Sequence, residues 1–229
     1  MRRLALLIVL CGLAGCGEDP AANVQAPEAI DVVATTTQAA DLTRNVMCKL
    51  SDGASCANGP VALLQGNTDP HDYELRPEDV ERLADADVIV RSGGEVDEWL
   101  EEAIEASGAD APVVDLLAAA GGDDPHWWTD PRAARVAVEA IRDALAKADP
   151  QTGQVYRSAS SAYLDQLEEL DEAIAECVAK VPADRRKVVT THDALGPFAR
   201  RYGIEIVGTV IPSRSTQGQA SSGEVARLD

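Results

Sequence analysis

The chain has 229 residues, of which 45% are apolar and 26% charged, and its formal net charge is -19. That is a globular composition, long enough to bury the core of one large or two small domains. So acidic a balance excludes nucleic-acid binding, which needs clustered Lys and Arg. Only 3% of residues are aromatic, so a core must rest mainly on Ala, Val and Leu, which suits helices packed on strands.

The N-terminus carries an address. Arg2 and Arg3 precede an unbroken apolar run, Leu4 to Leu10, and then Leu13-Ala14-Gly15-Cys16. A basic start, a short apolar stretch and small residues at a cleavage point make a secretory signal. The apolar stretch is too short to cross a bilayer as a mature helix. Its Leu-Ala-Gly-Cys ending resembles a bacterial lipoprotein signal, in which the Cys becomes the first mature residue and carries lipid; the alternative is an ordinary signal with a chance Cys. Residues 1–15 are therefore expected to be removed and Cys16 lipidated. Residues 16–28, polar and proline-containing, would form a tether. Cleavage removes two Arg and no acid, taking the charge from -19 to -21. The expected location is the cell membrane, lipid-anchored on its extracytoplasmic face.

Beyond the tether, Ala29 to Thr35 reads as a strand, Gln38 to Met47 as a short helix and Val61 to Gln65 as another strand. Cys48 and Cys56 bracket a short stretch containing LSDGAS. Outside the cytoplasm such a pair is expected to form a local disulfide, with two free thiols as the alternative. Pro77 to Ala84 reads as a helix with Pro at a permitted first-turn position. A strand from Asp87 to Arg91, a helix from Val96 to Ala106 and a short strand at Val113-Val114 follow. Pro131 to Lys147 reads as a helix with Asp130 as its N-cap. Strands alternating with helices imply a parallel sheet covered on both faces, here spanning residues 29–149.

From Asp149-Pro150 the pattern lengthens. Tyr156, Ala159, Tyr163, Leu167, Leu170, Ile174 and Cys177 recur every three or four residues up to a stop at Pro182. This is one amphipathic helix within residues 150–181, about 30 residues or roughly 45 Å long. It either joins two lobes or packs at the periphery of one. Cys177 reads as a buried small hydrophobe. Alternation then resumes with a strand from Lys187 to Thr191, a helix from Ala194 to Arg201 stopped by Gly203, and a strand from Ile204 to Val210. Residues 182–229 are thus read as an incomplete second α/β lobe, two strands being too few to close a core, and the chain as C-terminally truncated.

Three histidines occur. His71 lies in Asp-Pro-His-Asp-Tyr-Glu, His126 in Asp-Pro-His-Trp-Trp-Thr-Asp-Pro, and His192 directly follows the strand KVVTT. All three are loop residues, and two closely follow strands, at the carboxyl edge where open α/β sheets bind ligands. Neutral imidazole is a common ligand for zinc-like ions, and Asp72, Asp130 and Asp193 stand near enough in sequence to orient the rings. Taken singly, each histidine reads more simply as a loop residue with a local hydrogen bond than as a ligand. The separations differ from a zinc finger and from the i, i+4 pair of a protease helix.

The successive runs VVATTTQAADLTRNV, NTDPHDYELRPEDVERLADADVIVRSG, DPHWWTDPRAA and VVTTHDALGPFARRYGIEIVG resemble, in order, the signatures of the cluster A-I solute-binding proteins, zinc and manganese receptors of ABC importers. The resemblance implies two α/β lobes joined by one long helix, with metal in the cleft and His71, His126 and His192 as its ligands. It also implies a protein that is not an enzyme and that works as a monomer with an ABC transporter permease as partner. Manganese members carry Glu at the third position; His192 here points to Zn(2+), since three imidazoles suit zinc better than manganese, which prefers oxygen. Family members complete the site with a carboxylate from later in the second lobe. Here the fourth position is open to water, to Glu74, or to a residue beyond Asp229. Rival readings are a zinc-dependent hydrolase, for which an open metal position is a prerequisite, a metal-binding surface adhesin, and a purely structural lipoprotein.

Overall fold

A computed structural model describes residues 29–48 and 59–219. The signal, the lipidation site Cys16, the tether, Cys56 and the last ten residues lie outside the described residues. Cys48 is disulfide-bonded.

The first lobe is built on four parallel strands in the order β2-β1-β3-β4: β1 Val32–Ala34, β2 Val61–Ala62, β3 Val88–Arg91 and β4 Val113–Asp115. Successive side chains of a strand face opposite ways, and both faces are covered here. Val32, Ala34, Val88 and Val90 face one cluster, with Val46 and Ile141. Val33 and Ile89 face the other, with Leu63, Leu83 and Leu100. This explains why the strands read as continuous apolar runs rather than alternating ones. On the first side lie α1 (Thr37–Met47) and α5 (Pro131–Ala148); on the second lie α2 (Pro77–Ala84) and α3 (Leu100–Ser107). A five-residue helix, α4 (Leu116–Ala120), was not expected from the sequence; Asp115 caps it by accepting from the Ala118 N–H at 2.8 Å.

The α5 helix behaves as its sequence dictates. Asp130 accepts from the Arg132 N–H at 2.9 Å, Pro131 fills the first turn, and Ala134, Ala137, Val138, Ile141 and Leu145 form its buried stripe. The α6 helix runs from Gly153 to Ala179, 27 residues, or about 40 Å. It buries Tyr156 and Leu167 against the first lobe, and Ala159 on the same stretch is buried too. Beyond that the apolar stripe comes free: Leu170 is 48% exposed, and Cys177, expected to be buried, is an exposed free thiol. The stripe ends because the helix leaves the first lobe there and has less to pack against.

The second lobe holds β5 (Lys187–Thr190) and β6 (Glu205–Thr209), parallel, with a register irregularity at Val188/Val189, and α7 (Gly196–Tyr202) between them. Gly203 ends α7 in the left-handed conformation at φ 66°, where a Cβ would be strained. Asp171 of α6 ties the lobes: it accepts from Arg201 Nε at 2.8 Å, Arg201 Nη2 at 2.5 Å, the Tyr202 hydroxyl at 2.9 Å and Arg132 Nε at 3.3 Å. No helix among the described residues is long and apolar enough to cross a membrane.

Candidate metal centre

His71 and His126 are placed by the same local device. In each Asp-Pro-His triplet the Asp carboxylate accepts the backbone N–H of the histidine two residues on. Asp69 Oδ1 does so at 3.0 Å for His71, and Asp124 Oδ1 at 3.1 Å for His126. Pro fixes the intervening φ, so the triplet is a preset turn that aims the histidine. His71 sits in a 3-10 turn, Pro70–Asp72. His126 opens another, Trp127–Thr129, anchored below by the buried Trp127, whose Nε1 donates to the Ser92 carbonyl at 3.0 Å, just past the end of β3. That carbonyl is in turn held by a network on Asp97, fully buried, which accepts from Thr35 Oγ1 at 2.6 Å, the Ser92 N–H at 2.7 Å, the Gly93 N–H at 3.0 Å and Arg91 Nη2 at 3.2 Å. His192 lies two residues past the end of β5, and its carbonyl accepts from Thr190 Oγ1 at 2.8 Å.

These loops bring the three imidazoles together from both lobes. Ring centroids lie 5.6 Å apart for His71 and His126, 5.9 Å for His71 and His192, and 5.2 Å for His126 and His192. One ligating nitrogen from each ring falls within 4.8 Å of the others. A tetrahedral zinc ion with Zn–N of about 2.0–2.1 Å would hold its nitrogens roughly 3.4 Å apart, a separation on the scale of the one seen here. Buried ring nitrogens here lack hydrogen-bond partners: Nδ1 of His71 and both nitrogens of His126. His126 is only 4% exposed. Unpaired buried polar atoms are costly and few, and three converging in one place fit a cation.

The electrostatics favour neutral rings at His71 and His192. Burial lowers the pKa of both His71 and His192, and the adjacent His126 ring adds to that. Of the three carboxylates expected to orient the rings, Asp193 acts on its histidine and the other two do not. Asp72 is exposed and Asp130 is committed to capping α5. Asp69 and Asp124, two residues before their histidines, stand nearer, each holding its histidine's backbone N–H rather than a ring nitrogen; Asp124 Oδ1 lies 3.4 Å from His126 Nδ1 but is poorly aligned for a hydrogen bond. Burial works against the Asp69 carboxylate, yet hydrogen bonds from Thr216 and the His71 N–H hold its pKa below the ordinary value. The same is true of Asp124, beside the side chain and N–H of His126. Asp193 acts on His192 through charge alone. Glu74 is exposed and outside the cluster. The sequence signal that could have found Asp69 and Asp124 was the repeated Asp-Pro-His itself.

The family model "Zinc-uptake complex component A periplasmic" matches residues 32–229. The manganese-binding lipoprotein MntA of Halalkalibacterium halodurans is 28% identical over 97% of this chain and 74% of its own length. MntA of Bacillus subtilis is 32% identical over 89% of this chain and 68% of its own. Among solved structures, the periplasmic zinc-binding protein TroA of Treponema pallidum superposes with a TM-score of 0.77 at 28% identity, covering 88% of this chain and 73% of TroA. A match that runs through both sheets and the long helix between them makes this chain a member of the ZnuA family, whose proteins are metal-binding substrate-binding components of ABC transporters rather than enzymes.

Proposed function

We propose that the chain binds Zn(2+) through His71, His126 and His192 in the cleft between its lobes and delivers it to the permease of an ABC importer, working as a monomer tethered by lipid on Cys16 to the extracytoplasmic face of the cell membrane. The observation that carries this reading is the convergence of three imidazoles from three loops and two lobes, with buried nitrogens lacking partners. The lipoprotein names of relatives support the anchor, and Leu13-Ala14-Gly15-Cys16 supplies its attachment point.

Manganese is the second reading, because the two relatives above are named for it while TroA is named for zinc. An all-imidazole set favours zinc, since manganese prefers carboxylate, carbonyl and water. Metal analysis of the purified protein after exposure to equimolar zinc and manganese tests both ions. Zinc should be retained at one ion per chain, and His126→Ala should lose it. Retention of manganese in preference would overturn the choice of ion, and parent-like zinc in His126→Ala would overturn the site.

A further inference from the structure

Residues 213–217 of the second lobe touch all three loops that carry the histidines. Asp193, next to His192, donates its N–H to the Ser213 carbonyl at 2.9 Å. Arg214 Nη1 donates to the Asp123 carbonyl at 3.0 Å, three residues before His126. Thr216 Oγ1 donates to Asp69 Oδ2 at 2.6 Å, the carboxylate whose other oxygen receives the His71 N–H, and Gln217 Nε2 donates to the His71 carbonyl itself. The segment is also held in shape by its own bonds. The Ser215 N–H donates to Ser213 Oγ at 3.1 Å and the Gln217 N–H to Ser215 Oγ at 3.2 Å. A Cβ on Gly218 would come within 2.7 Å of Ile211 Cγ2 and 2.9 Å of Ser213 Cβ, so the chain doubles back there more closely than any other residue allows.

We propose that this segment is a clasp for metal retention, with Thr216 as a positioning residue that holds the turn of His71, on the first lobe, against the lobe that carries His192; the inference rests on the metal reading above. Thr216 touches no ring, so it acts only through Asp69. Its contacts exist only while the lobes are together, so they should slow release rather than speed capture.

The test is the rate at which bound Zn(2+) is lost to excess chelator in stopped flow, for the parent, Thr216→Val and Thr216→Ser. Val keeps the shape and removes the donor. Its release should be about tenfold faster, the equivalent of about 1.4 kcal/mol, with one zinc still bound per chain and the melting temperature of the metal-free protein unchanged. Ser restores the hydroxyl and should return the rate to near the parent's. Should Thr216→Val lower the metal-free melting temperature, Arg214→Ala, which removes a different contact of the same clasp, is expected to speed release in the same direction and decides the matter. Parent-like release in the variant that decides, or failure of Ser to restore it, overturns the clasp. A parent that takes up no zinc overturns the metal reading and the clasp with it, and is distinguishable because no variant is then needed.

Discussion

Replacing Asp171 with Asn tests how the two lobes are fastened. The side chain is nearly buried, the residue being 8% exposed, and it receives four hydrogen bonds from three residues: Arg132 before it in sequence, Arg201 and Tyr202 after. Removing one partner of a buried, hydrogen-bonded charge pair costs about 3–5 kcal/mol. Arg132 is 65% exposed and its share is small, so the expected loss for Asp171→Asn is about 2–3 kcal/mol. For a chain of this length that is roughly 4–12 °C in melting temperature, read by thermal unfolding followed by circular dichroism. The pH dependence has a definite sign. The Arg201 side chain, followed by Tyr202, holds the Asp171 pKa below the ordinary 3.8 against the effect of burial. A depressed folded-state pKa contributes stability that is fully present above the unfolded value and is lost as pH falls through the folded one. The gap between parent and variant should therefore be full at neutral pH and shrink only below pH 3.8. A melting difference under about 2 °C at neutral pH, or one equally large in strong acid, would refute the reasoning.

Two further substitutions probe the support beneath the histidines. Gly196→Ala puts a Cβ 2.6 Å from Asp124 Oδ2; either Asp124 swings off the His126 N–H or α7 backs away, and zinc affinity by chelator competition should fall by roughly tenfold, equivalent to about one lost hydrogen bond. Asp97→Asn leaves donors facing a donor at a fully buried position whose network includes Arg91; it should cost about 3–5 kcal/mol in urea unfolding, and a cost under 1 kcal/mol would show that the network is dispensable.

Most elements were legible because each announced itself by periodicity plus a stop. The α5 helix had Asp130-Pro131 at its start and a clean apolar stripe, and α7 had Gly203 at its end. Strands were read too long: Val61 to Gln65 shrank to two residues, pairing with β1 only as far as Ala62, although Leu63 and Leu64 still donate their N–H groups to the Ala34 and Thr35 carbonyls at 2.9 and 3.1 Å and bury their side chains. The α4 helix was hidden by its length, five residues being too few to show a period. Cys177 was misread because a helical stripe reports a face that is apolar, and burial further requires a neighbour, which α6 lacks at that end. Of the site, the histidines were visible, but their convergence was not. Separations of 55 and 66 residues carry no distance, and only the resemblance of whole motifs put the three in one place. Asp72 and Asp130 were misassigned for a simpler reason: both follow their histidines, whereas an Asx-type turn draws on the residue two positions before.

The histidine-bearing loops lie between two fastenings that differ in kind. On the helix side, Asp171 is a nearly buried carboxylate with four bonds, two of them from one guanidinium in a forked arrangement, the geometry in which a charge-assisted pair is strongest. On the cleft side, the contacts from residues 213–217 are single hydrogen bonds in exposed positions, each open to competition from water. The strong fastening belongs to the fold, and its loss should register mainly as lost stability. The weak one closes over the histidines, and its loss should register mainly in how fast an ion escapes. The proposed function, holding an ion and surrendering it, needs that asymmetry: a uniformly tight interface would retain the metal, and a uniformly loose one would not bring His192 to within reach of His71 and His126.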